Sequence, residues 1–227
     1  MLASLIAASL LAAAPVTPLE VVKSGNADVQ KAATAPGATV EQLATVVEKF
    51  VDFEELAKRA LGKEWDKRTP AEQKDFAETM KGLLRASYAQ KAIGQGNAQV
   101  KYGKEAITGT EATVDTVLTV KKDQIPVDYK LYKSAKGGWR IYDVVTDQVS
   151  LVETYQGQFR KLLSDKGFDG LLSTLKSKRA QLEKSSAGTK APEAAPAKGS
   201  AAPKAPAQGP TGKKVGAPTG TKLAARK

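Results

Sequence analysis

The residues best suited to chemistry in this chain are carboxylates. Asp52, Glu54, Glu55 and Glu64 lie close together in sequence, and paired acids can act as general acid and base or hold a hard cation. Nothing in their spacing fixes two of them together at such a distance. Asp52 reads instead as a helix cap, with Glu54 and Glu55 in the first turn, where the helix dipole favours negative charge. Asp128 and Asp143 are further candidates for a buried acid or base, although alternation sets both opposite apolar neighbours and so reads both as exposed. The chain has no His and no Cys. A Ser-His or Cys-His nucleophile, a His-ligated zinc and a disulfide framework are therefore excluded. Gly94-Gln95-Gly96 lacks a strand before it and a helix after it, so it is no phosphate loop. The reading is of a protein that is not an enzyme, with no catalytic residue, no metal and no cofactor. The alternative is an enzyme on an α+β scaffold that acts on a hydrophobic substrate through Asp128 or Asp143.

Apolar side chains, at two different periods, are the richer signal. Ile125, Val127, Tyr129 and Leu131 recur every second residue, as in a half-buried strand. Gly137-Gly138 supplies the positive φ of a hairpin turn, and Trp139 to Thr146 is the return strand. The period then becomes helical, with Val149, Val152, Phe159 and Leu163 on one stripe. A second C-terminal helix follows from Phe168 to about Lys184, after Asp165-Lys166-Gly167. Upstream, Gln99 to Ile107 and Ala112 to Lys121 alternate as two more strands joined by a turn at Gly109.

Four helices precede the strands. Leu19 to Ala33 is the first. Thr39 with Gln42 forms a capping-box pattern for a helix from Val40 to about Phe50. Asp52 caps the next, and Gly62 ends it. Thr69-Pro70 opens the fourth, which runs to about Lys91 with Phe76, Met80, Leu83, Leu84 and Tyr88 inward. The implied class is α+β: a four-stranded antiparallel curled sheet with helices packed on one face, plus a disordered C-terminal tail. On periodicity alone the apolar stripes read as ordinary core. A curled sheet with helices across its open side can also enclose a pocket.

The hairpin and helix VDYKLYKSAKGGWRIYDVVTDQVSLVETYQGQFRKLL, together with VDFEELAKRALGKEWDKRTPAEQKDF upstream, resemble the signature of the MlaC family, also called the toluene-tolerance or ABC-transporter auxiliary family. The resemblance covers about Pro18 to Leu182. It implies a periplasmic phospholipid-binding shuttle that carries lipid between the outer membrane and an inner-membrane ABC transporter and so maintains outer-membrane lipid asymmetry. Phospholipid is then the ligand, and no covalent chemistry is needed. The implied partners are an outer-membrane lipid-donating complex and a membrane-anchored substrate-binding component of the transporter, with the carrier itself a monomer. On this reading the apolar stripes line a cavity for acyl chains. Alternation selects Leu118, Val120, Val127, Tyr129, Leu131, Tyr142 and Val144 from the strands, Tyr142 and Val144 because Asp143 would otherwise point inward. The helices add Leu83, Leu84, Tyr88, Val149, Leu151, Val152 and Phe159. Lys91, Lys101, Lys104 and Arg140 could meet phosphate at the mouth, although solvated charges are the plainer reading.

Three segments follow: a leader at 1–14, the lipid-binding domain at 18–184 and a tail at 185–227. The apolar run from Leu2 to Ala14 is too short to span a bilayer and fits a secretory signal peptide. No Lys or Arg precedes it, so a basic region is expected upstream of Met1. The formal charge is +11, and seven of those charges reside in the tail, where eight basic residues face Glu193 alone. That tail is rich in Ala, Pro, Gly and Lys without an aromatic residue, and such a composition does not order itself. It reads as a flexible tether. Its lysines offer a contrasting role, binding anionic lipid or other polyanions of the envelope; a nucleic-acid partner is largely unavailable to a secreted chain.

Overall fold

The computed structural model describes residues 16–93, 98–120 and 122–187, with side chains described for 16–88, 98–120 and 122–185. The leader, the Gly94-Gln95-Gly96 segment and all but the start of the tail lie outside them.

Four helices come first: α1 (Pro18–Thr34), α2 (Val40–Val47), α3 (Phe53–Leu61) and α4 (Pro70–Ile93), with a 3₁₀ helix, Gly62–Lys67, between the last two. Their starts are written locally. Thr17 with Glu20, Thr39 with Gln42 and Thr69 with Glu72 each exchange a side chain for the partner's backbone N–H, which satisfies two orphan donors per helix. Asp52 accepts from the Glu55 N–H at 3.0 Å, and Gly62 closes α3 at φ 62°. α2 stops at Val47, three residues before the expected Phe50, because the chain turns there to meet the sheet. The Ile141 N–H donates to the Phe50 carbonyl (2.9 Å) and the Asp52 N–H donates to that of Ile141 (2.8 Å).

The sheet is antiparallel and runs β1 (Gln99–Thr108), β2 (Glu111–Val120), β3 (Asp123–Lys133), β4 (Trp139–Thr146) and β5 (Val149–Ser150) in chain order. It thus has five strands where four are expected. β5 follows a two-residue turn with positive φ at Asp147 and Gln148, the geometry of a tight hairpin made here without glycine. Then α5 (Leu151–Ala187) runs to the C-terminal end of the described region, broken at Gly167 (φ 68°) where the sequence separates two helices.

Two main cores result. One lies among α3, α4 and α5, built on Leu56, Phe76, Met80, Phe159 and Leu171, with Trp65 and Phe168 against Phe76. The other lies between α1 and the sheet, built on Val22, Ala112, Val114, Leu131 and Ile141. α1 therefore packs on the face that carries Val114 and Leu131. From α3, Arg59 reaches Glu111, Tyr132 and Tyr142.

Asp143 connects the second core's sheet to α5. Its side chain is 1% exposed, against the exposure that alternation implies, because the face it points to is covered by the start of α5. One carboxylate oxygen accepts from the Ser150 hydroxyl (2.6 Å) and the other from the Val152 N–H (3.0 Å). Lys130 stands 3.4 Å away. Ser150 in turn accepts from the Glu153 N–H, so two of the orphan donors of α5 are met. Asp143→Ala leaves that hydroxyl and the Val152 N–H without a buried partner. We expect a loss of about 2–3 kcal/mol, read as a lower urea midpoint at an unchanged slope.

Candidate ligand-binding surface

The register of the sheet defines a face row by row. Ala112, Leu131 and Ile141 stand side by side, then Val114, Tyr129 and Val144, then Thr116, Val127 and Thr146, then Leu118 and Ile125. α1 covers the first rows through Val22, with Phe50 and Val51 beside it. Gly25 permits the close approach, since a β-carbon there would lie 3.0 Å from the Phe50 ring. Farther down, the packing loosens. Val127 and Thr116 remain buried, whereas Leu118, Val120, Ile125 and Val144 are half-buried. Among the described residues, Leu118 and Val120 belong to none of the packed clusters. The sheet therefore presents a sealed end and a half-open apolar end on one face.

A bulge sets which β4 residues join that face. Lys130 pairs with Asp143 but Leu131 with Ile141, so Tyr142 is the extra residue. Ile141 and Val144 consequently fall on the same face, which strict alternation forbids, and Asp143 falls on the other. Tyr142 parts from Val144. Its ring lies under the Arg59 guanidinium, 3.6 Å from the carbon to the ring centre, and edge-on to Tyr132.

The helical residues expected in the same lining form their own cluster. Leu83, Leu84, Val152 and Phe159 are buried together, with Tyr88 and Leu151 packed against them. Tyr155 lies 5.5 Å from Phe159 between ring centres. Leu131 and Tyr129 sit in the α1 core instead. Val149 is 52% exposed on β5 and meets neither cluster. It differs from the expected helical stripe because the turn at Asp147-Gln148 makes it a strand residue.

The charged candidates are mostly engaged. Arg140 donates to the backbone carbonyls of Glu48, Lys49 and Val51 and so caps the end of α2. It borders a cleft of about 500 Å³ whose other charged walls are Glu48, Asp52, Glu54, Lys74, Glu78 and Lys81. Lys101 and Lys104 are exposed on β1, and the Lys91 side chain lies outside the described residues. Among the carboxylates, Asp52 accepts from Tyr132 (2.6 Å), Glu55 pairs with Arg59 (2.7 Å) and Glu64 with Lys67 (2.6 Å). Asp128 stands opposite Asp115 across the strands, and burial, then that like charge, raises its pKa.

Burial acts most visibly on tyrosines. It pushes the Tyr129 and Tyr142 hydroxyls up to about 12. It raises Tyr88, Tyr132 and Tyr155 as well, and for Tyr132 the bond to Asp52 adds to the effect. A tyrosine in the unfolded chain ionises near 10. The folded state therefore holds its full advantage below pH 10 and loses it as the pH rises toward 12, since the unfolded chain releases these protons first. We expect stability in urea to fall steadily between pH 10 and 12, with phenolate absorbance at 295 nm lagging that of denatured protein at pH 11. Superimposable folded and denatured titrations would contradict the burial.

Residues 19–177 match the family model described as MlaC protein. A relative, the intermembrane phospholipid transport system binding protein MlaC of Haemophilus influenzae, is 25% identical over 138 residues, which are 58% of this chain and 64% of that protein, so the match spans less than two thirds of the relative. Among solved structures, the phospholipid-binding protein from Ralstonia solanacearum in complex with a phospholipid is 26% identical, with a TM-score of 0.68 over 75% of this chain and 99% of the other. The family model takes in well over half the sequence, from α1 into the second half of α5, and on that ground this chain belongs to the MlaC family.

Proposed function

We propose that this protein is a periplasmic phospholipid carrier, which shields acyl chains from water while moving lipid between the outer membrane and an inner-membrane ABC transporter. Its partners on this reading are an outer-membrane lipid-donating complex and a membrane-anchored substrate-binding component of the transporter, and its role is to maintain the lipid asymmetry of the outer membrane. The carrying observation is the half-open apolar end of the sheet face, where Leu118, Val120 and Ile125 are half-buried and belong to no packed cluster among the described residues. In a member of this family, with a solved relative described as holding a phospholipid, acyl chain is the cover that surface fits. Each methylene withdrawn from water contributes about 0.8 kcal/mol, so two long chains supply ample driving force without covalent chemistry. Among the described residues no helix is long and apolar enough to cross a membrane. The acids do not favour an enzymatic alternative: Asp143 is spent on capping α5, and Asp128 faces Asp115.

Native mass spectrometry of the secreted protein, before and after incubation with phospholipid vesicles, tests the reading. We expect phospholipid to be retained in a defined ratio, and retained equally after deletion of Ser185 to Lys227. Leu118→Asp places a charge on the half-open surface, where folding does not depend on close packing. Lipid retention should fall at least tenfold, equivalent to about 1.4 kcal/mol, with the urea midpoint unchanged. A mass free of lipid under all these conditions, for the unaltered protein, would return the apolar rows to being core alone.

A further inference from the structure

One buried polar group has no partner where the packed face gives way to the half-open one. The Asn26 side chain on α1 faces Tyr129 on β3, whose hydroxyl donates to the amide oxygen at 3.0 Å. The amide nitrogen, Nδ2, is buried and has no acceptor among the described residues. Reversing the amide does not repair this. The nitrogen would then donate to the phenol, leaving both the amide oxygen and the phenolic proton unpaired. The observed orientation is the better one, and it still leaves two N–H bonds unmet. An unsatisfied buried donor is destabilising, and such groups in native folds call for a partner.

The position narrows what that partner is. Tyr129 shares its row with the buried Val114 and the half-buried Val144. Val127 and Thr116 form the next row, and Leu118 and Ile125 the one after. Thr116 is satisfied within the sheet, donating to the Val127 carbonyl at 2.6 Å. Asn26 is therefore the free donor at the inner limit of the half-open surface. Tyr129 beside it is flanked on the same face by Val114, Val127, Leu131 and Val144, all apolar, so a phosphate there would be costly to bury. A neutral carbonyl carries no such penalty and is a good acceptor for an amide N–H.

We propose that Asn26, oriented by Tyr129, binds an ester carbonyl of a diacyl lipid and so selects ester-linked over ether-linked chains. This rests on the carrier reading above and goes beyond it by assigning the linkage chemistry. Tyr129 is a positioning residue: it holds the amide oxygen at 3.0 Å and so leaves Nδ2 as the end of the amide available to a ligand. The sheet and helix residues contribute apolar cover that is indifferent to the linkage, whereas Asn26 responds to the carbonyl alone.

The test uses the full chain, stripped of lipid, in competition between a diacyl phosphatidylethanolamine and its dialkyl ether analogue with the same chain lengths, read by native mass spectrometry. We expect the unaltered protein to favour the diacyl lipid by about fivefold to tenfold, the worth of one neutral hydrogen bond. Asn26→Leu, of similar volume, should bind the two lipids equally. The side-chain amide resonance of Asn26 in the unaltered protein gives a readout without any substitution. It should shift on adding the diacyl lipid and stay in place with the ether lipid. Equal binding of both lipids by the unaltered protein, with an amide resonance that moves equally, overturns the assignment and leaves the donor to a buried water. Binding of neither lipid overturns the carrier reading, and this assignment with it.

Discussion

The carboxylate of Asp143 is the point at which the sheet takes hold of the C-terminal helix. A charge withdrawn from water is tolerated only when its lone pairs are met, and Ser150, Val152 and Lys130 meet them. Fixing the first turn of α5 fixes the course of the helix that bears Tyr155 and Phe159, up to the break at Gly167 beyond which Phe168 follows. Those rings in turn set the packing of Phe76 on α4. The same strand holds the other helical entry. Ile141 binds the chain at Phe50 and Asp52, and Asp52 both starts α3 and accepts from Tyr132 on β3. β4 is thus the common support of the helical core and of the α1 face, while β1 and β2 stand farther from the helical core.

That arrangement explains how one face of a sheet can be sealed at one end and loose at the other. Near Ile141 the strand is gripped from its edge by the segment at Phe50 and covered by Val22. At the opposite end of the sheet, beyond Val127, no such grip is made among the described residues, and the apolar side chains keep part of their surface in water. Apolar surface left in water is a standing cost of about 25 cal/mol per Å², and it is recovered when something covers it. A solvent-facing apolar row of this kind is a binding feature more readily than a packing fault.

Much of this was legible in the sequence because it is local. Thr39 with Gln42, Asp52, Thr69-Pro70 and Gly62 are end signals whose geometry depends on a few neighbouring residues, and the structure places helix ends at each. The hairpin around Gly137-Gly138 follows for the same reason. β5 was hidden because Asp147 and Gln148 take positive φ without the glycine that usually announces it. The bulge at Tyr142 was hidden too, since alternation assumes an unbroken register. The choice of Tyr142 with Val144 therefore set side by side two residues that the fold separates. Asn26 was missed altogether: in sequence it is a polar residue next to Gly25 in a weak helix. Its meaning comes from Tyr129, which is distant along the chain and adjacent in space. Whether the helical and strand stripes face one another is equally a long-range matter, and periodicity within an element carries no information about it.

The free edge of the sheet has a consequence of its own. β1 is an outer strand, and an unpaired edge is a template on which further strands can add, the route to fibrils. Its register slips between Tyr102 and Glu105, at Gly103 and Lys104, and Lys101, Lys104 and Glu105 are exposed along it. A strand interrupted midway and studded with charge gives an incoming chain neither a continuous ladder nor a neutral surface. The sheet can therefore keep apolar rows half-open on its face without inviting copies of itself to stack along its side.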